Sequence, residues 1–292
     1  MPSLIDIRRR IRSVKNTQQI TKAMKMMSAA RLRRAQDRVF AARPYASLMR
    51  QFMGRLVGRL EAGGESGPVL HPLLARRPEK HILVVVLAGD KGLAGAFNTN
   101  VHKAAMGFIA SHASQGQEVD MIAVGRKPRD FFRRRRALVA DFADIFAKVK
   151  YENARDIAKH VIDRYSSGEA DGVYLIYNEF KSVLVQRLQV EKLLPLDKPE
   201  AATGGTQVDY IYEQPPAELL GRLLPRYVEV QVFRSLLESA AAEHAARMTA
   251  MDSASKNASE MINRLTLNMN RIRQASITRE IIEIVSGAAA LG

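Results

Sequence analysis

What limits this chain most is how little proline its two ends contain. From Ser3 to Leu60 the only proline is Pro44, and nothing after Pro225 is proline. Both stretches predict long helices, the first with a kink near Ala42 and Arg43 where the Pro44 ring meets the preceding turn. In the C-terminal run, small or apolar residues recur three or four apart: Leu237, Ala240, His244, Met248, Met251, Ser255, Ala258, Ile262, Leu265, Met269 and Ile272. That spacing is a coiled-coil seam. Ile7, Ile11, Val14, Thr21, Met24, Ser28 and Ala35 answer it from the N-terminal run. Such narrow side chains let two backbones approach closely. About sixty helical residues rise on the order of 90 Å, so much of the pair should extend beyond a domain of this size and offer its sides to a partner. The plainer alternative is a helical bundle packed on itself.

Charge narrows the choice of partner. The net charge is +15, and residues 1–60 carry most of it: fifteen Lys and Arg stand there against only Asp6 and Asp37. A helix of one sign repels itself unless acidic groups lie nearby. Nucleic acid, acidic protein loops or an anionic membrane face would each serve, and charge alone ranks nucleic acid first. Ile20, Met26 and Met27 cannot all point into a two-helix seam. They read either as packing against the rest of the chain or as a flexible apolar collar for a partner. Past Pro44, Leu48, Phe52, Leu56 and Leu60 recur at helical spacing and are expected to dock on the central domain.

A linker at residues 61–79, rich in Gly and Pro, separates the N-terminal helix (1–60) from a domain at 80–214, and 215–292 return as helix. Ile82 to Leu87 is apolar without alternation and rich in β-branched residues, as a strand buried on both faces should be. Further strands are expected at Glu118–Val124 and Gly172–Asn178, an edge or antiparallel strand at Ser182–Glu191, and a short closing strand at Tyr210–Glu213. Helices fall between them, to about Ser114, around Arg129–Phe132 and over Asn153–Tyr165. This βαβα order implies an α/β layer with a mostly parallel sheet. The turn Gly89-Asp90-Lys91-Gly92-Leu93-Ala94-Gly95 could cradle a phosphate on helix N-terminal amides. Its glycine spacing matches neither the dinucleotide fingerprint nor the Walker loop, which favours a tight structural turn. Arg133 to Arg136 reads as a solvated face.

Several chemistries are excluded. With no cysteine there is no disulfide, zinc–thiolate site or thiol catalysis. The six histidines show no metal spacing, no serine sits in a nucleophile elbow, and His244 reads as a packed seam residue. No apolar run reaches the length of a bilayer span. The N-terminus enters helix at once and is expected to carry no signal or transit segment. No self-contained active site is expected, and no cofactor in this chain.

Three stretches carry a family resemblance: Asn16-Thr17-Gln18-Gln19-Ile20-Thr21-Lys22-Ala23-Met24-Lys25-Met26; Asp90-Lys91-Gly92-Leu93-Ala94-Gly95-Ala96-Phe97-Asn98; and Ala275-Ser276-Ile277-Thr278-Arg279-Glu280 through Ala290. With them the chain resembles, from end to end, the γ subunits of F-type ATP synthases, of bacterial type. It departs at Lys91 and Ala94, where that family more often has Arg and Cys. The resemblance implies a long antiparallel coiled coil of the terminal helices plus a Rossmann-like α/β domain. It implies a non-catalytic central rotor, which couples proton-driven rotation of a c-ring to conformational cycling of catalytic β subunits. Implied partners are the α and β subunits of a hexamer, ε and the c-ring. ATP, ADP and Mg would be bound by α and β, nucleic acid would not be a partner, and the membrane would be reached only through partners, on the cytoplasmic face of a bacterial inner membrane. By matching positions, Lys22, Met24, Lys25, Arg273 and Gln274 contact β, the final turns to Ala290 enter an apolar bearing, and Asp209, Tyr210 and Glu213 form a foot near c and ε. The alternative kept from charge is a basic coiled-coil protein that binds nucleic acid.

Overall fold

The computed structural model describes residues 4–62, 71–196 and 216–291. In order these are α1 (Leu4–Ala62), a 3-10 turn (Pro72–Leu74), β1 (His81–Leu87), α2 (Phe97–Ala113), β2 (Glu118–Val124), α3 (Arg126–Phe132), β3 (Ala140–Phe142), α4 (Tyr151–Ser166), β4 (Gly172–Phe180), β5 (Gln186–Leu194) and α5 (Pro216–Leu291). They form two compact units, residues 30–246 and residues 1–29 with 247–292. The expected closing strand at Tyr210–Glu213 lies outside the described residues.

The larger unit is built on one sheet in the order β3-β2-β1-β4-β5. β1 pairs in parallel with β2 and β4, β2 in parallel with β3, and β4 antiparallel with β5. Ile82 to Ala88 are buried throughout because helices cover both sheet faces. On one face Val84, Val86, Met121 and Ile176 pack with Val101, Ala105 and Ile109 of α2 and Phe132 of α3. A right-handed crossover back past β1 puts α4 on the other face, where Ala154, Ile157, Ala158, Val161 and Tyr165 form its buried stripe. At Gly125, φ is 106° and an added Cβ would lie 2.0 Å from the Ala88 carbonyl oxygen, so only glycine lets β2 turn into α3 beside β1.

Within the same unit α1 buries Leu32, Val39, Ala46 and Met53, seven residues apart, and then Leu56 and Val57. The expected docking stripe is therefore corrected at Leu48, which is 64% exposed, while Phe52 is half-buried. The inward stripe keeps the seven-residue period of the seam, and Leu48 falls two positions off it. Pro44 does not end α1, which continues as helix to Ala62. The ring occupies an exposed position, and the turns around it are held by buried Val39 and Ala46 and by Arg43, whose guanidinium pairs with Glu238. α5 begins on Pro216, a residue suited to the first helical position because its missing N–H would have no intrahelical partner.

Candidate functional site: a two-helix seam and its outward faces

In the smaller unit the first turns of α1 lie against the second half of α5. Thr21 and Ser255 share a hydroxyl–hydroxyl hydrogen bond of 3.1 Å, and Lys25 donates to Asp252 at 2.5 Å. As numbers rise on α1 they fall on α5, so the pair is antiparallel. Ser255 also donates to the Gln18 carbonyl at 3.4 Å, and the Thr21 hydroxyl bonds the same carbonyl at 3.0 Å. Hydroxyls so short that they meet across the seam need closely spaced backbones, as the small residues at these positions require.

Burial follows the spacing read from the sequence. Ile7, Thr21 and Ser28 are buried on α1, with Ile11, Val14 and Met24 half-buried. On α5, Met251 and Ala258 are buried, and Met248, Ser255, Ile262, Leu265, Met269 and Ile272 are half-buried. Asp252 also bonds Lys256, so two ammonium groups hold its carboxyl below the usual aspartate range.

The seam residues cover only one side of each helix. Ile5, Ile20, Met26 and Met27 on α1, and Met261 and Leu267 on α5, are large apolar side chains left exposed. By the register of Thr21 with Ser255, Leu4 lies opposite Ile272. Past that level α5 continues to Leu291, and Ile277, Ile281, Ile282, Ile284 and Val285 are all exposed. A run of five branched apolar residues standing in water is the signature of a surface meant to be covered.

The residues singled out for contact with β fall into different settings. Lys22, Arg273 and Gln274 are exposed, Met24 is half-buried in the seam, and Lys25 is engaged by Asp252. Asp209, Tyr210 and Glu213 lie outside the described residues. Asp252 was not singled out from sequence, and nothing local marks it as the partner of a lysine 227 residues away.

The glycine-bearing turn after β1 is tied down from inside. Asp90 accepts backbone N–H bonds from Arg126 at 2.9 Å, Asp144 at 2.8 Å and Phe146 at 2.9 Å. Asn98 accepts from the Gly89 N–H at 2.9 Å and donates to the Lys91 carbonyl at 3.2 Å. The conspicuous polar groups of this turn thus serve backbone groups of neighbouring loops, as the structural reading expects. In the arginine run, Arg133 to Arg135 are exposed, and Arg136 donates to the Val119 carbonyl at 2.8 Å. Among the described residues no group of three or more His, Asp or Glu could hold a metal ion, and no helix is long and apolar enough to cross a membrane.

Comparison with known proteins adds three findings. A family model described as ATP synthase matches residues 3–291. An ATP synthase gamma chain from Solibacter usitatus is 60% identical over 291 residues, 99% of each chain, and one from Anaeromyxobacter sp. (strain Fw109-5) is 52% identical over the whole of both. Among solved structures, a chain of the central stalk and c-ring of Tetrahymena thermophila mitochondrial ATP synthase superposes with a TM-score of 0.60 at 26% identity, covering 81% of this chain and 99% of that one. A chain of the Euglena gracilis mitochondrial enzyme superposes with a TM-score of 0.65 at 19% identity over 99% of this chain and 94% of that one, a likeness of fold.

Proposed function

This chain belongs to the ATP synthase gamma-chain family, and from that premise we propose that it is the turning central shaft of the complex, gripped along its seam by an α/β hexamer and driven from its foot by a c-ring. The observation that carries the reading is the antiparallel seam whose outward apolar side chains, and whose α5 extension from Ile277 to Val285, are left uncovered by the described residues. A subunit whose surfaces are finished only by neighbours does its work as a moving contact.

On this reading catalysis belongs to the β subunits, which with α bind ATP, ADP and Mg, and this chain supplies no reacting group. Its lever is differential contact. A shaft orientation that touches one β conformation better than another biases that site by the difference in contact free energy, and rotation passes the bias from site to site. Lys22, Met24 and the neighbourhood of Lys25 are assigned to the β contact zone, with Arg273 and Gln274 as a second contact. The exposed stretch from Ile277 to Val285 is assigned to the apolar bearing, and Asp209, Tyr210 and Glu213 to the foot beside c and ε. The excess positive charge of α1 then faces acidic loops of β, and not nucleic acid. Attachment is peripheral, on the cytoplasmic face of the inner membrane through the partners.

Replacing Arg273 and Gln274 together by alanine tests the assignment. Both side chains are exposed, so the isolated chain should unfold at the wild-type temperature while ATP turnover of the assembled complex falls. Unchanged turnover would remove the second contact from the account.

A further inference from the structure

In the sheet order β3-β2-β1-β4-β5, the chain leaves β1 toward β2 on one side and returns to β4 on the other. Loops at the carboxyl ends of β1 and β4 therefore diverge and open a crevice, the place where open α/β sheets take their ligands. Here the crevice is filled by the protein's own long helices. From β4, Phe180 meets α5: its N–H donates to Glu238 Oε2 at 3.0 Å. Phe180's carbonyl accepts from Arg43 Nη2 of α1 at 2.5 Å. Arg43 closes the triangle by donating to both Glu238 oxygens, through Nε at 2.7 Å and Nη2 at 2.9 Å. The Glu238 side chain is 1% exposed. From β1, Gly89 meets α5 five residues further on, where an added Cβ would stand 2.6 Å from Glu243 Oε1 and 2.7 Å from its Cδ. Glu243 is buried as well.

We propose that Arg43, Glu238 and Glu243 are the clamp through which torque passes between the two shaft helices and the α/β layer. The proposal rests on the rotor assignment and deepens it by naming the residues that carry the load. Both backbone groups of one residue, at the end of a central strand, are held by one side chain from each helix. A bidentate guanidinium–carboxylate pair is directional as well as strong, so it resists sliding in a way that apolar packing does not. At Gly89, just past the end of β1, the Glu243 carboxylate stands where a side chain would otherwise be, so a turning α5 bears on the ends of two adjacent central strands.

The test uses complete ATP synthase in inverted membrane vesicles, measuring ATP hydrolysis and ATP-driven acidification together. Arg43→Lys keeps the charge but cannot hold both Glu238 oxygens and the Phe180 carbonyl. Gly89→Ala forces Glu243 to withdraw. In each, protons pumped per ATP hydrolysed should fall several-fold while hydrolysis persists, because the shaft slips against the domain under load. The reversed pair, Arg43→Glu with Glu238→Arg, should not restore the ratio, since it would set a guanidinium against the Phe180 N–H and a carboxylate against its carbonyl. An unchanged ratio in both single variants, restoration by the reversed pair, or parallel loss of hydrolysis and pumping in every variant would overturn the clamp. Failure of the wild-type chain to assemble with α and β would instead overturn the rotor assignment.

Discussion

The two partners of the Arg43–Glu238 pair should not be equivalent when removed, and the difference follows from their burial. The Arg43 side chain is 34% exposed and that of Glu238 1%. Arg43→Ala strands a carboxylate in the interior that still accepts from the Phe180 N–H but has lost its counter-charge, and losing one partner of a buried pair costs about 3–5 kcal/mol. Glu238→Ala leaves a guanidinium that can turn toward water, so most of that penalty is relieved. What remains is a buried Phe180 N–H without its acceptor, at about 1–3 kcal/mol, together with the volume of the lost side chain. Arg43→Ala is therefore expected to destabilise the full chain more than Glu238→Ala by about 2 kcal/mol. Urea unfolding of both variants beside wild type, followed by circular dichroism, reads the order directly. Equal losses, or a larger loss for Glu238→Ala, would refute the argument that unequal burial sets the cost.

Two further outcomes are expected. Ala258→Pro, at a buried seam position inside α5, removes a helical hydrogen bond and should destabilise the helix pair by about 3 kcal/mol or more; normal coupling of hydrolysis to pumping in that variant would contradict a stiff transmission. Burial alone would raise the Glu191 carboxyl, but Arg234, Arg50 and the Tyr177 hydroxyl outweigh it and hold the group below the ordinary glutamate range. Its contribution is therefore present above the unfolded value near 4.5 and is lost as pH falls through the lower folded value. The melting temperatures of wild type and Glu191→Gln should thus converge on acidification, and a gap that widens as pH falls would contradict the sign.

The seam was legible because a heptad-like spacing depends only on positions along one helix: Met251, Ser255 and Ala258 are where the period puts them, and burial follows. β1 was legible because its apolar run is of strand length, rich in β-branched residues and closed by a glycine-bearing turn, which favours a strand covered on both faces over a buried helix. β3 was not, since its three residues, Ala140 to Phe142, are too few to show any period and exist as strand only through pairing with Ile122 to Val124. Leu48 misled because helical spacing alone does not say which of two stripes faces inward. The pairs that organise the sites, Lys25 with Asp252 and Arg43 with Glu238, join residues 227 and 195 positions apart. One signal could have pointed to the second pair. Glu238, Glu243 and His244 interrupt a run of small and apolar residues from Leu236 to Ala246, and carboxylates in such a run need partners to be buried.

Rotation itself can be read on one molecule. The chain contains no cysteine, so Lys103→Cys, at an exposed position on α2, gives one thiol to which a probe can be attached. With the α/β hexamer fixed to a surface and ATP supplied, the probe should turn continuously in one sense and stop when ATP is removed. ATP hydrolysis by the same immobilised complexes while the probe stays still would contradict a turning shaft.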